Sequence, residues 1–374
     1  MSSLREWLES NQDGRGNLQK NNPLPSDNLV VFEPEKHMYT LQRKVVCDAG
    51  EKVVQIIFPS SVTGFVKSFF PPFDEKVISE RCANNRGVEV ASVLQEWSEA
   101  REAGTTMHAY IESVYNGMQV PQKPWELGPE FVQFESFKQF VSEHKGWVPF
   151  RTELILYSAK YMVAGSCDMV FLDPKTKLVY ICDWKRSKQI WQQSLQGLTG
   201  FGPCEDLPDC NRSHYDLQLN AYRFLFEAQV GTKVGGMYLA VFHPGQKDYQ
   251  FLAVPDYSKK IARCFSIRRL HLIQQCITKL RVGVDQDRKA ALQHCLVLDC
   301  LRCDVKLSCW RVISNANNAQ QRRQAWERLV IPTFLDEDTP LQPLEPWVGI
   351  GQHQREVEAA TCWNIPDGCR VLGL

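Results

Sequence analysis

The stretch from Cys167 to Lys185 constrains this chain more than any other. It reads Cys167-Asp-Met-Val-Phe-Leu172, then Asp173-Pro-Lys-Thr-Lys177, then Leu178-Val-Tyr-Ile-Cys-Asp-Trp184 and Lys185. Two runs rich in β-branched and aromatic residues flank a segment of turn formers, the pattern of a β-hairpin. A symmetric turn sets one register, in which paired residue numbers sum to 351 and Asp168 faces Asp183. Directly opposed Cβ atoms stand ~4.5–5.5 Å apart, so two carboxylates placed there repel. Lys185, two residues past Asp183, falls on the same strand face.

A hard divalent cation is the usual remedy for opposed carboxylates, and Mg²⁺ is typically held by one or two of them plus water and phosphate. The plain alternative is a salt bridge among exposed strand-end residues. Other residues bear on the choice. Gly165 stands three before Asp168, and Glu153 lies on an earlier predicted strand, Thr152–Tyr157. A predicted helix before it carries His108 and Glu112, four apart and so on one face. A helix after the hairpin carries Gln218 and Tyr222 at the same spacing; Ser213-x-x-Asp216 has the form of a capping box that opens it.

The surrounding pattern alternates strand and helix. Short strands are expected within 29–58, helices over about 88–116 and from Gly128-Pro129 to Gly146, strands at 237–242 and 249–254, and a long helix from Ser258. The fold class expected is α/β, a central mixed β-sheet flanked by helices, with an N-terminal β/α extension and a helical C-terminal extension. The expected organisation is a flexible polar leader over 1–28, an extension over 29–100, a core over 101–257, a helical, Cys-containing region over 258–330 and an irregular tail over 331–374.

Taken in order, His108, Glu153, Gly165-x-x-Asp168, Asp183-x-Lys185 and Gln218-x-x-x-Tyr222 resemble the RecB-type branch of the PD-(D/E)XK nuclease superfamily. That branch includes nuclease domains of bacterial recombination helicases, CRISPR-associated exonucleases and mitochondrial genome-maintenance exonucleases. The resemblance spans roughly residues 60 to 255, and it implies a restriction-endonuclease-like core. It also implies a Mg²⁺- or Mn²⁺-dependent deoxyribonuclease, expected to be an exonuclease of DNA repair or recombination. Asp168, Asp183 and His108 would hold the metal, Lys185 would be the catalytic lysine, and Glu153 would support the site. Gln218 and Tyr222 would contact the DNA backbone or support Lys185. The basic patch Lys185-Arg186-Ser187-Lys188 offers Arg186 and Lys188 to phosphates. Ser61 or Thr63 could touch the backbone, or simply open a packed helix. Trp184 faces away from Lys185 and is expected in the core. Two alternatives remain open: an inactive nucleic-acid-binding module with this fold, and a nuclease directed at RNA.

Several relatives of this branch close their domain with the spacing of Cys300-x2-Cys303-x5-Cys309 and add one earlier Cys. The resemblance therefore implies a [4Fe–4S] cluster, which needs four thiolates. Cys82 or Cys47 would be the fourth. A zinc site using Cys295 or His294 is the other reading.

Composition narrows the partners. The chain has 43 Lys+Arg and 43 Asp+Glu, which denies it the overall basic footprint common among nucleic-acid binders. An acidic metal site reconciles the two, because a bound cation inverts the local charge. No apolar run approaches the ~18 residues of a membrane-spanning helix, and the polar start lacks a signal-peptide pattern. With 14 Cys, an intracellular, reduced state is expected, cytoplasmic or nuclear.

Overall fold

A computed structural model describes residues 3–47, 50–190, 192–194, 197–282 and 370–371. Its elements in chain order are α1 (Leu4–Ser10), α2 (Asn17–Asn21), β1 (Val30–Glu33), β2 (Met38–Cys47), β3 (Gly50–Ile57), β4 (Ser60–Ser61), α3 (Val62–Lys67), α4 (Glu75–Arg86) and α5 (Val90–Tyr115). There follow α6 (Pro124–Leu127), α7 (Pro129–Phe140), β5 (Val148–Ser158), β6 (Val163–Leu172), β7 (Val179–Arg186), α8 (Asn211–Val230), β8 (Val234–Phe242), β9 (Gln250–Ala253), α9 (Ser258–Val282) and β10 (Arg370–Val371). They divide into two units. The first comprises Met1–Asn28, Ser60–Tyr157 and Ala164–Arg263; the second comprises Leu29–Pro59, Ser158–Val163 and Cys264–Leu374.

The first unit is built on a mixed sheet in the order β4-β6-β7-β8-β9, with β5 also paired to β6. The β6–β7 hairpin has the expected register, Met169↔Cys182 through Leu172↔Val179. Its turn explains why. The Asp173 carboxylate accepts the Lys175 N–H at 2.8 Å and the Thr176 hydroxyl at 2.9 Å, and its backbone N–H donates to the Leu178 carbonyl at 2.9 Å. That local closure fixes the register of the two strands. β8 runs parallel to β7, which requires a crossover, and α8 supplies it.

One face of the sheet buries Met169, Phe171, Cys182, Trp184 and Phe242 against Met107, Tyr110 and Ile111 of α5 and Phe131, Phe134 and Phe137 of α7. Trp184 is 1% exposed, a core residue as expected. Tyr115 stacks parallel to it at 6.1 Å between ring centroids. Against the other face lie α3 and α8. There Gly165 permits a close approach: a Cβ on it would stand 2.8 Å from Val62 Cγ2 and 3.1 Å from Tyr222 Cε1.

Four expectations need correction. The leader 1–28 is not free chain: it forms α1 and α2 and is tied down by side chains. Arg15 pairs with Glu112 at 3.2 Å, the Leu18 N–H donates to Asn116 Oδ1 at 2.8 Å, and Arg151 forks onto Asp27 at 2.8 and 3.1 Å. Low apolar content hid an anchor made of hydrogen bonds. The boundary at 100 falls inside α5, a continuous helix, and residues 60–100 belong with the core unit. Helix α8 begins at Asn211, not Ser213, which is buried within its first turns. Asp216 bonds Arg212 instead of capping.

The second unit holds an antiparallel sheet in which β2 pairs with β1, β3 and β10. Along α9, Ile261, Phe265 and Leu272 are buried, in keeping with the apolar stripe in the sequence. No described helix is long and apolar enough to cross a membrane.

Candidate metal centre

Where the β6–β7 ladder ends, three elements converge. Asp168 lies one residue beyond the last ladder pair, and its Oδ2 accepts the backbone N–H of Trp184 at 2.8 Å. The same oxygen is 3.5 Å from Nδ1 of His108, which α5 delivers. Glu153 arrives from β5 through a kink: its φ is 45°, in the left-handed region that a glutamate in a strand rarely adopts. Such strain persists only where the surroundings enforce it, and it collects at functional sites. Here it accompanies a carboxylate held by the Ser166 hydroxyl, which donates to Glu153 Oε2 at 2.6 Å. One ligand atom from each of His108, Glu153 and Asp168 lies within 4.8 Å of the other two.

Asp183 takes a different part. Its carboxylate, 2% exposed, pairs with Lys185 Nζ at 2.5 Å. The lysine also sits 4.6 Å from the centroid of the Tyr215 ring on α8. The three side chains close enough to share an ion are therefore His108, Glu153 and Asp168, while Asp183 is paired with Lys185.

The electrostatics follow from crowding acidic groups out of water. Burial pushes the Glu153 carboxyl up to about 8, the charge of Asp168 adds to this, and the Ser166 hydrogen bond opposes it. Burial also pushes Asp183 up to about 7, against the pull of Lys185 and with the repulsion of Asp168. Burial disfavours the Lys185 ammonium, yet Asp183 and Asp168 outweigh it and hold the group above its ordinary value. Burial lowers His108, with Asp168 opposing, which favours the neutral imidazole a metal requires.

The donor set is one imidazole and two carboxylates, mutually close and short of positive charge. It suits a divalent cation and does not by itself select one.

Around this centre the other sequence candidates separate. Gln218 donates to Thr63 Oγ1 at 3.2 Å and to the Tyr222 hydroxyl at 3.4 Å. Tyr222 is 3% exposed and packs over Gly165. Ser61 caps α3 by accepting the Gly64 N–H. Arg186 is bound to Glu130 at 3.0 Å, whereas Lys188 is exposed. Arg15 pairs with Glu112, and burial raises its carboxyl. Cys82, on α4, is a partly buried free thiol. Cys300, Cys303, Cys309, Cys295 and His294 lie outside the described residues. Tyr215, Ser166 and Arg15 were not singled out in the sequence. Only Tyr215 had a legible cue, its place on the helix just upstream of Gln218.

No family model matches the chain, and no curated protein matches it. Among solved structures it is similar to the crystal structure of SSO0001, at 14% identity over 56% of this chain and 75% of that one, with a TM-score of 0.22. A likeness at that score fixes neither fold nor chemistry, and the site stands on its own residues.

Proposed function

We propose that the chain is a divalent-metal-dependent phosphodiesterase with a restriction-endonuclease-like core, and that it hydrolyses DNA as an exonuclease. The observation that carries this reading is the meeting of His108, Glu153 and Asp168 within 4.8 Å beside the Asp183–Lys185 pair. The strand-helix-strand order around it, β5-β6-β7-α8-β8, supports the core assignment.

His108, Glu153 and Asp168 would hold the ion. A bound Mg²⁺ or Mn²⁺ supplies a water of lowered pKa and offsets charge on a phosphodiester. The chain's own groups do the rest. Asp168 is aimed by the Trp184 N–H, and Glu153 by Ser166. Lys185 carries a full positive charge, held by Asp183 and the Tyr215 ring, where negative charge would develop on phosphate. Asp183 keeps that ammonium protonated and orients it.

The test incubates end-labelled linear single-stranded DNA, double-stranded DNA and RNA, and circular DNA, with Mg²⁺ or Mn²⁺. Asp168→Ala and Lys185→Ala serve as controls. Cleavage of linear DNA that both variants abolish is the expected result. A wild type that cuts nothing, or variants that cut equally well, overturns it; preference for RNA reassigns the substrate.

A further inference from the structure

Helix α5 does more than deliver His108. With 100° per residue, Trp97, Arg101, Gly104 and His108 fall within one 60° sector of that unbroken helix. The eleven steps from Trp97 to His108 span about 16 Å at 1.5 Å each. This line starts at the metal centre and runs outward over features of distinct kinds. At Gly104 an added Cβ would meet nothing within 4 Å, so the helix surface next to His108 is open. Arg101 is 66% exposed, and its only described ion pair is a loose one to Glu75 at 3.7 Å. An exposed pair of that kind is worth little, so the guanidinium can exchange the carboxylate for a phosphate. At the end stands Trp97, and against it lies Phe73, with ring centroids 6.1 Å apart.

Phe73 is one of the two most exposed aromatic side chains among the described residues, the other being Trp125. Phe73 is 67% exposed, although a Phe gains most from burial and its partner ring is at hand. An exposed Phe73 against a half-buried Trp97, in line with an open helix face, a cation and a metal centre, is an arrangement that single-stranded nucleic acids use. Their bases stack on aromatic faces while cations track the phosphates. Leu94, three residues before Trp97 on α5, is exposed as well, so what favours a nucleic acid over a protein is the metal centre and Arg101 on the same line rather than the size of the patch.

We infer that this face of α5, with Phe73, is the path along which a single strand of nucleic acid enters the metal centre, its bases stacking on Phe73 and Trp97. The inference rests on the phosphodiesterase reading for its direction, but its binding test does not depend on cleavage.

The full-length protein is titrated in EDTA, so nothing is cut, against fluorescein-labelled dT20 and an abasic oligomer of equal length and charge, with anisotropy as readout. Wild type should bind dT20 more tightly than the abasic chain. Phe73→Ala, and Phe73→Ala with Trp97→Ala, should weaken dT20 binding by about 5- to 150-fold for each base unstacked and leave abasic binding within about twofold. Trp125→Ala, removing an exposed ring past the other end of α5, should change neither. Phe73 is exposed enough that its single variant should fold as the wild type does, and thermal melting verifies this. Unchanged dT20 binding in the variants, equal loss on both oligomers, or a wild type that binds neither oligomer overturns the path. Hydrolysis of bis(p-nitrophenyl) phosphate with Mn²⁺ reads the metal centre apart from the path, and Trp125→Ala should retain it. Base-dependent binding without hydrolysis by the wild type would sink the catalytic reading and leave the path standing.

Discussion

Asp168 Oδ2 accepts the backbone N–H of Trp184 at 2.8 Å, just past the last ladder pair of the hairpin. The carboxylate thus replaces a strand partner and is itself fixed in place. Asp168→Asn and Asp168→Ala both remove a negative charge from the cluster, but only Ala also strips the acceptor from the Trp184 N–H. Leaving a buried donor unpaired costs about 1–3 kcal/mol. Asp168→Ala should therefore be less stable than Asp168→Asn by about that amount in urea titrations, while both lose metal binding. Equal stabilities would show that the hydrogen bond is incidental.

The Asp183–Lys185 pair makes a different prediction, because both partners are removed from water. Breaking a buried pair by deleting one partner typically costs about 3–5 kcal/mol, whereas replacing both with uncharged groups is often neutral. Lys185→Met should melt well below the wild type, since it leaves the nearly inaccessible Asp183 carboxylate alone. Asp183→Asn combined with Lys185→Met should recover most of the loss. Neither should cleave DNA. A double variant no more stable than Lys185→Met would mean that the pair contributes little to the fold.

These two sites also show what a sequence can and cannot carry. The register that brings Asp168 beside the end of β7 is local, set by the Asp173 turn, and was legible from residue types alone. The helix positions of His108, Gln218 and Tyr222 were legible from spacing. Three matters were not. Glu153 enters the ligand group through a backbone kink at φ 45°, and no periodicity announces such a kink. Tyr222 turns inward because Gly165 and Val62 leave a space for its ring, a packing fact. Arg15 reaches Glu112 across 97 residues of chain, beyond any local pattern.

That long-range contact predicts an unusual sensitivity of the core to its N-terminal segment. Deleting residues 1–28 removes Arg15 from Glu112, Asp27 from Arg151 and the Leu18 N–H from Asn116. Arg151 is 3% exposed, so its guanidinium would lose a bidentate partner in a dry setting. The truncated chain should have a lower Tm and faster amide exchange in the last turns of α5. Arg15→Ala alone should reproduce part of this, and Glu112→Gln should soften its effect by removing the orphaned charge. Melting curves that superimpose on the wild type would restore the view of a free leader.

The last prediction concerns pH. The Glu153 carboxyl stands at about 8 in the folded protein, against an ordinary 4.5. A group raised in this way binds its proton more tightly when folded, so the stability it contributes is full below the ordinary value. That stability is lost as pH climbs through about 8. Metal-free wild type should therefore lose stability between about pH 4.5 and 8, on the order of a few kcal/mol from this group. Asp183, raised to about 7, adds in the same direction. Glu153→Gln keeps the shape and has no proton to give up. In EDTA at pH 9 it should melt above the wild type, and its Tm should fall less from pH 6 to 9. With Glu153 as a ligand in its ionised form, divalent metal should reverse the order, because binding would displace the proton. Mn²⁺ should raise the wild-type Tm, more so at pH 8 than at pH 6, and raise that of Glu153→Gln little. A wild type whose metal-free Tm is flat across this range, or a variant that gains from Mn²⁺ as the wild type does, would remove Glu153 from the centre.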